Sequence, residues 1–418
     1  MTREAARPSL ERRFGVGDAV VIGLGSMIGA GIFGALGPAA AAAGSGILIA
    51  LLATAVVAYC NATASARLAA RYPQSGGTYV YGRERLGPFW GFLAGWCFVV
   101  GKTASCAAMA LTVAAYAWPE HARAVAGASV VALTSVNCRG VQKSALLTRM
   151  IVAVVLAVLA AVVVSALGSG AVHSDRLAVG GDVTAYGVLQ AAGLLFFAFA
   201  GYARIATLGE EVRDPRRTIP VAIPVALGLA LLVYTAVAAT TLAVLGPASM
   251  AASAAPLAEV AQITEVPGLA VAVAIGAGVA ALGSLLSLLL GVSRTTLAMA
   301  RDGHLPTTLR AVHPRYKVPH HAELAVGIAV TALVLTVDIR EAIGFSSFGV
   351  LVYYAIANAS AWTLRSAEGR TRRTIPAVGA IGCAVLAFTL PWQSVAAGAA
   401  VAALGAVVYW TRQMLRGG

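Results

Sequence analysis

The chain has 418 residues, of which 59% are hydrophobic and only 11% are charged. Soluble proteins carry about a quarter charged residues, so this composition excludes an ordinary soluble protein and indicates a polytopic helical membrane protein. The net charge of +13 does not indicate a nucleic-acid partner, because the basic residues are spread over short loops between apolar runs.

Apolar runs long enough to cross a bilayer recur along the whole chain. We number them as spans 1 to 12: 17–38, 45–66, 88–116, 121–137, 147–167, 185–205, 219–245, 268–291, 322–337, 342–364, 375–391 and 394–411. Of the 30 basic residues, 26 fall in the terminal segments, loops and span ends on one side. By the positive-inside rule, this pattern predicts a multi-pass protein of the cytoplasmic membrane with both terminal segments, 1–16 and 412–418, in the cytoplasm.

Span 1 contains the glycine-rich stretch GLGSMIGAGIFG, residues 23–34. Glycine costs roughly 1 kcal/mol relative to alanine inside a helix. An interrupted helix in a membrane is tolerated where it lines a site, and the free N–H groups at the start of a half-helix favour an anion. Plain helix packing through Gly25 and Gly29 is the alternative explanation. Residues 29–34 also match a dinucleotide-binding pattern, but the preceding strand and the following acidic residue are missing.

Span 3 carries Lys102, the only ionisable residue that the sequence puts near the middle of a span. A charge at this depth costs at least roughly 2.5–3.5 kcal/mol, so such residues usually face a cavity and mark a pathway. The alternative is a structural lysine that donates a hydrogen bond to a backbone carbonyl of span 1 or span 8.

Span 6 is interrupted in the same way around Gly201, within FFAFAGYARIATLGEE, residues 196–211. Five spans separate the two interruptions, which predicts two five-helix repeats of opposite orientation, 17–167 and 185–364, followed by two additional helices in 375–411. Interruptions at matching positions of two such repeats are the best sequence indication of a transporter's binding site. Because one half-helix offers N–H groups and the other offers carbonyls, the pair is suited to a zwitterion.

The remaining polar segments give weaker indications. Glu210 and Glu211 precede several arginines, so this segment forms either an ion-paired inner gate or a solvated loop. Ser284 and Ser287 in span 8 are weak evidence for a sodium site, since hydroxyl groups also bond to their own helix. The histidines of the loop between spans 8 and 9 are expected to be solvated. Neither they nor the five cysteines have the spacing of a metal site or a disulfide framework.

Four segments together resemble the amino acid–polyamine–organocation permease superfamily, whose members have the inverted-repeat leucine-transporter fold. They are GSMIGAGIFG (25–34), YPQSGGTYVYGRERLGPFWGFLAGW (72–96), FFAFAGYARIATLGEEVRDPRRTIPVAI (196–223) and SRTTLAMARDGHLPTTLRAVHPRYKVP (293–319). The resemblance covers the chain from span 1 to the loop after span 8. It indicates the family strongly and the substrate weakly.

The resemblance implies a role for each residue at the two interruptions. Those that would bind the substrate carboxylate through backbone amides, with one side chain alongside, are Ile28, Gly29, Ala30, Gly31 and Ser26. Those whose carbonyls would accept from the substrate amino group are Phe197, Ala198 and Ala200. The aromatic ring of Phe197 would close over the substrate, and Phe199 or Tyr202 could share this gating role or simply pack. The acidic residue that often follows the glycine–aromatic pair is replaced here by Ala203 and Arg204.

Some relatives without sodium coupling use a basic side chain from helix 5 where others bind the ion. Span 5 of this chain is apolar after Arg149, so the hypothesis is that Lys102 takes a comparable coupling role from span 3. It would act as the proton carrier or as a fixed cation beside the site.

The sequence therefore predicts an all-α membrane protein with about twelve transmembrane helices, a 5+5 inverted repeat, and interrupted helices in spans 1 and 6. We expect a secondary active transporter of amino acids or related amines that works by alternating access, is coupled to protons, and uses no cofactor or metal. An amino acid exchanger and a non-transporting sensor are the alternatives. A membrane enzyme is disfavoured because the spans carry no central catalytic cluster, and the lack of a central acidic residue favours neutral or small substrates.

Overall fold

The computed structural model describes residues 14–72, 76–140, 145–181, 183–206, 212–365, 368 and 372–417. These residues form α-helices joined by turns and short 3₁₀ segments, one of which is Ala200–Tyr202. The helices are α1 Val16–Met27, α2 Ala30–Gly34, α3 Leu36–Ala43, α4 Ile47–Arg71, α5 Thr78–Leu86, α6 Pro88–Ala117, α7 Ala122–Cys138, α8 Ala145–Gly168, α9 Ala185–Phe199, α10 Ala203–Ala206, α11 Pro215–Ala252, α12 Pro256–Ile263, α13 Leu269–Arg301, α14 His320–Thr336, α15 Ile339–Trp362, α16 Thr374–Thr389 and α17 Trp392–Gly417.

Apart from α5 and α12, the helices fall on the predicted spans, with span 1 divided into α1 to α3 and span 6 divided into α9, the 3₁₀ turn and α10. Among the described residues, nine segments are long and apolar enough to cross a membrane. The helices α14 and α16 are apolar but shorter, and α7, on predicted span 4, has 17 residues. The protein is therefore an all-α polytopic membrane protein, while the count of twelve crossings and the inverted repeat stay predictions.

Two short helices, α5 and α12, lie where the sequence analysis expects loops. Helix α5 is too polar and too short to span a membrane, but its first five residues are buried because they pack against α6. It begins after Gly77, whose φ of +56° is accessible to glycine at little cost. A hydropathy pattern alone does not reveal a helix of this kind.

The helices pack in two groups. In the first, α1 lies against α11, while α4 lies against α9 and α11, which joins predicted spans 1, 2, 6 and 7. In the second, α6 lies against α13, α7 and α14, which joins predicted spans 3, 4, 8 and 9. Helix α15 packs against both α6 and α16. The two interrupted helices thus belong to the same group.

Exposed tryptophans lie at the ends of the long helices. Trp90 is in the first turn of α6 and Trp118 directly follows its last residue, and both side chains are exposed. A helical segment between them is about 42 Å long, close to the thickness of a bilayer with its headgroups. Since tryptophan is enriched at membrane interfaces, both ends of α6 are suited to the two membrane surfaces.

On the predicted cytoplasmic side, two clusters attach α5 to later parts of the chain. Asp302, just after α13, accepts hydrogen bonds from the Tyr79 hydroxyl and, at 3.1 Å, from the Arg83 guanidinium. His304 lies 3.0 Å from the same Tyr79 hydroxyl and is half-buried, so it is not a freely solvated histidine as the sequence analysis expects.

The second cluster joins Glu368 to the ends of α4 and α5. The Glu368 carboxylate accepts hydrogen bonds from Arg85 at 2.8 Å and from Arg71 at 3.4 Å. The hydrogen bond from Arg85, followed by one from the Arg365 backbone N–H, lowers the pKa of Glu368 to about 2. This carboxylate is therefore ionised at every physiological pH.

Candidate functional site at the two interrupted helices

The interruption in span 1 falls within the glycine-rich stretch. Helix α1 ends at Met27, and the Ile28 N–H still donates to the Leu24 carbonyl at 2.7 Å. Gly29 then has a non-helical ψ of −129°, and α2 begins at Ala30. The N–H groups in the first turn of α2 have no acceptor within that helix. All of the predicted carboxylate-binding residues from Ile28 to Gly31 are buried.

The interruption in span 6 is a tightening of the helix and not an extended segment. Helix α9 ends at Phe199, a 3₁₀ turn covers Ala200–Tyr202, and α10 follows. A 3₁₀ turn changes the direction of the carbonyl groups relative to an α-helix and often marks a functional hinge. The predicted amine-binding residues Ala198 and Ala200 are each 2% exposed.

The two interruptions lie directly against each other, backbone to backbone. A Cβ atom built on Gly31 would lie 2.6 Å from the Ala198 Cα, and one built on Gly201 would overlap the Ser26 carbonyl. Real Cβ atoms do not approach backbone atoms this closely, so glycine is required at both positions. The chain therefore brings the predicted carboxylate-binding and amine-binding segments together.

Tyr234 of α11 connects the same two segments. Its hydroxyl oxygen lies 2.6 Å from the Met27 carbonyl oxygen and 3.0 Å from the Ala198 carbonyl oxygen. A tyrosine hydroxyl has one hydrogen to donate, so only one of these buried carbonyls can receive it at a time. The sequence analysis did not identify this residue, although Tyr234 is the only aromatic residue in predicted span 7.

The predicted gating aromatics have different surroundings. Phe199 packs edge-on against Tyr234, with ring centroids 5.0 Å apart, and the Tyr202 ring lies 5.2 Å from that of Tyr354. Phe197 lies about one helical turn before Gly201 and is 8% exposed. The gating roles of these residues stay predictions.

Tyr354 of α15 adds a second hydroxyl beside the interruption in span 6. Its oxygen lies 3.5 Å from the Ala200 carbonyl, at the limit of a hydrogen bond. The Tyr202 hydroxyl next to it is buried, and its side chain interacts with that of Tyr354.

Ser284 of α13 closes the other side of the span 1 interruption. Its hydroxyl lies 3.4 Å from the Gly25 carbonyl, and a Cβ on Gly29 would overlap it. Ser287 instead donates to the Gly283 carbonyl of its own helix at 3.0 Å, and Ser26 likewise donates to the Ile22 carbonyl at 2.9 Å. Among the serines that the sequence suggests, Ser284 is the one that contacts a different helix here.

The cavity beside Gly29 has a volume of about 10 Å³ and is lined by residues of α1, α8 and α13. Helix α8 contributes only Ile151, Val152 and Val155, so span 5 brings no charge to this place. A cavity of this size holds at most about one water molecule. This cavity is therefore too small to hold an amino acid.

Lys102 does not lie at the interruptions. Its side chain in α6 is 7% exposed. Within the described part of the chain, its ammonium group makes no ion pair or hydrogen bond. The residues of α6 that pack with Ala30 are Met109 and Val113. Lys102 precedes Met109 by two helical turns, or about 10 Å. It is a buried lysine on the predicted cytoplasmic side of the interruptions.

The predicted inner gate lies only partly within the described residues. Glu210 and Glu211, the acidic half of the predicted inner gate, lie outside the described residues. Just beyond them, the Arg213 N–H donates to the Phe14 carbonyl at 2.8 Å, so the start of the chain pairs with the segment after span 6. Among the described residues, no group of three or more histidine, cysteine, aspartate or glutamate side chains is arranged to hold a metal ion.

Comparison with known proteins agrees with this architecture. The family model of amino acid permeases matches residues 14–413. An uncharacterized transporter of Mycobacterium tuberculosis is 70% identical over 97% of this chain and 92% of its own length. The branched-chain amino acid permease BcaP of Bacillus subtilis is 26% identical over 96% of this chain and 93% of its own. Human cationic amino acid transporter 4 is 28% identical over 85% of this chain and 60% of its own. The chain therefore belongs to the amino acid permease family of the amino acid–polyamine–organocation superfamily.

Proposed function

We propose that the protein is a secondary active transporter that moves an amino acid across the cytoplasmic membrane by alternating access, with protons as the coupling ion. The observation that carries the proposal is the direct backbone contact between the two interruptions, at Gly31 with Ala198 and at Gly201 with Ser26. A carboxylate on the span 1 amides and an ammonium on the span 6 carbonyls would both be within reach of one small zwitterion.

The closed cavity supports alternating access. A volume of about 10 Å³ beside Gly29 excludes an amino acid, so binding requires the group that contains α1 and α9 to move relative to α13. The 3₁₀ turn at Ala200–Tyr202 and the bend at Gly29 are local points at which such a movement can occur.

A neutral side chain is the substrate class that the described surroundings favour. Ile28, Ala30, Phe197 and Ala198 are apolar and buried, and a cationic side chain would need a counter-charge there. The relatives do not decide the question, because one is named for branched-chain and another for cationic amino acids.

The direct test is a thermal-shift screen of the twenty amino acids and common amines, followed by radiolabelled uptake into proteoliposomes at two pH values. We expect one or more neutral amino acids to stabilise the protein and to accumulate faster with an inward proton gradient. Uptake that needs internal substrate and ignores the gradient would indicate an exchanger. Binding without flux under any condition would indicate a sensor and refute transport.

The proposed coupling role of Lys102 has its own test. Replacing the ammonium group by a thioether in Lys102→Met removes the only charge of α6 within the membrane while keeping a side chain of similar length. We expect substrate binding to persist and the pH dependence of uptake to disappear. A variant that reaches the membrane and retains the wild-type pH profile would contradict the role.

A further inference from the structure

A buried carboxyl group lies among α7, α13 and α14, away from the site described above. Glu323, in the first turn of α14, is 0% exposed. The sequence analysis did not consider it, because it lies at the end of predicted span 9, where an acidic residue would ordinarily face the cytoplasm. Burial of an ionised carboxylate costs several kcal/mol unless its oxygens are paired.

The pairing of Glu323 is incomplete. Its Oε1 atom accepts a hydrogen bond from the Ser293 hydroxyl at 2.7 Å, but Oε2 has no partner among the described residues. Asn137 of α7 lies beside the carboxyl group and is 1% exposed. Its Nδ2 donates to the Leu286 carbonyl at 3.2 Å, which fixes the orientation of the amide, and its Oδ1 has no donor.

The cluster thus contains two buried acceptors, Glu323 Oε2 and Asn137 Oδ1, that lack a hydrogen. Rotating the Asn137 amide does not help, because its oxygen would then face the Leu286 carbonyl. One added hydrogen on Oε2 converts an acceptor into a donor, and Asn137 Oδ1 is available to receive it. The arrangement is one proton short of full pairing.

The groups around this carboxyl group favour opposite protonation states. Complete burial favours the neutral form, whereas the Ser293 and Asn137 side chains, Arg294 of α13 and the N-terminal end of α14 favour the ionised form. The other titratable groups that interact with Glu323 are the thiols of Cys106 on α6 and Cys138 on α7. On its own helix, His320 and His321 precede it by one turn or less. Cys106 also interacts with Lys102, one helical turn before it.

We propose that Glu323 is a proton-binding site, that it is protonated when α7, α13 and α14 are packed as described, and that it exchanges this proton with the cytoplasm as the helices move. Release of the proton leaves a charge among apolar helices and so favours an arrangement in which α14 separates from α7. The link to substrate movement rests on the proposed transport function, whereas proton binding does not.

The decisive measurement is infrared difference spectroscopy of the purified full-length protein in lipid nanodiscs, titrated over about pH 5 to 8. We expect a C=O stretching band of a protonated carboxylic acid that disappears as the pH rises. The band should be absent in Glu323→Gln and present in the control Glu265→Gln, whose side chain is exposed. A wild-type spectrum without a titrating band, or the same band in Glu323→Gln, would overturn the proposal.

A second variant keeps the test independent of how well Glu323→Gln folds. Ser293→Ala removes the hydroxyl that stabilises the ionised carboxylate. Retention of the proton is then easier, so the midpoint of the band should move to higher pH by about one unit. An unchanged midpoint would contradict the assignment of the band to Glu323.

Measurements of substrate flux distinguish a failure of this proposal from a failure of the proposed transport function. With a radiolabelled mixture of the twenty amino acids, we expect wild-type uptake to vary about tenfold over this pH range and Glu323→Gln uptake to vary less than about twofold. Wild-type protein that shows the band but no flux would refute transport and leave the proton site intact. A wild-type pH profile in Glu323→Gln would refute the link between them.

Discussion

Gly201 and Tyr234 determine, at the scale of single residues, how closely the two interruptions approach. Gly201 provides space, because any side chain there would overlap the Ser26 carbonyl. Tyr234 provides pairing, because its hydroxyl lies within hydrogen-bonding distance of the Met27 and Ala198 carbonyls. Gly201 permits the contact and Tyr234 stabilises it. We therefore expect their substitutions to have different effects on the protein.

Gly201→Ala should abolish the close contact. The added methyl group meets backbone atoms that cannot move aside, and overpacking of this kind costs about 1–3 kcal/mol. We expect uptake to fall at least about fivefold at unchanged expression. Gly278→Ala in α13 is the matched control, because a Cβ there meets nothing within 4 Å. Equal uptake by the two variants would show that the contact is not needed for transport.

Tyr234→Phe should weaken the closed conformation without adding volume. The Met27 and Ala198 carbonyls then lose the hydroxyl they share, which costs about 1–3 kcal/mol. We expect a lower unfolding temperature in the absence of substrate, measured by tryptophan fluorescence. Tyr186→Phe, at a position 57% exposed, should leave that temperature unchanged. A Tyr234→Phe protein as stable as wild type would contradict the bridging role.

Sequence reasoning located the interruptions but not the residues that complete them. An apolar span broken by five glycines is a local signal, so residues 23–34 could be identified without any tertiary contact. The significance of Tyr234 depends on which carbonyls its hydroxyl reaches, and that depends on how α11 packs against α1 and α9. Glu323 was missed for the same reason, since the helices that enclose it are distant in sequence.

At the scale of secondary-structure elements, α5 joins α6 to the segments after α13 and α15 on the predicted cytoplasmic side. It packs along α6, while its arginines reach Asp302 after α13 and Glu368 after α15. The Arg83–Asp302 pair is largely exposed and is expected to be weak, whereas the Arg85–Glu368 pair is partly buried. Hydropathy analysis does not detect α5, because the helix contains the polar residues that make these contacts.

Glu368→Gln should affect stability in a pH-dependent way. The pKa of Glu368 in the folded protein is about 2, below the value of about 4.3 for an unperturbed glutamate. Its stabilising contribution is therefore complete above about pH 5 and is lost as the pH falls toward about 2. We expect Glu368→Gln to unfold at a slightly lower temperature than wild type at neutral pH, and the difference to vanish in acid. Glu84→Gln, whose ion-pair partner is the adjacent Arg83, should show no such convergence. A difference that persists in acid would contradict the ion-pair explanation.

At the scale of the whole molecule, charge and tryptophan placement indicate the same position in the membrane. Basic residues concentrate on one side of the spans, and exposed tryptophans lie at both ends of α6. The charge pattern can be read from composition alone, because membrane insertion depends on composition and not on detailed packing, and the orientation it indicates stays a prediction. Composition does not predict which helices contact one another or how closely they pack.

The predicted orientation can be tested by labelling introduced cysteines in cells with a membrane-impermeant maleimide. Asp175→Cys, in the loop between spans 5 and 6, should react in intact cells, whereas Thr307→Cys, between spans 8 and 9, should react only after permeabilisation. Both side chains are exposed, while Cys60, Cys97, Cys106 and Cys383 are buried and Cys138 is half-buried, so the native background should be low. The reverse labelling pattern would invert the topology and put both termini outside.

The backbone contact between Gly31 and Ala198 has a consequence for how substrate preference can be altered by mutation. Main-chain atoms are the same whatever side chains the residues carry. Substitutions therefore change very little in the part of the site that would hold the amino and carboxyl ends of the substrate. Preference can change only where side chains surround the remainder of the substrate, and Ser284, beside Gly29, and Phe197, next to Ala198 in the chain, are two candidate positions. Libraries aimed at a new substrate should therefore vary these two residues and leave positions 29–31 and 198–201 untouched.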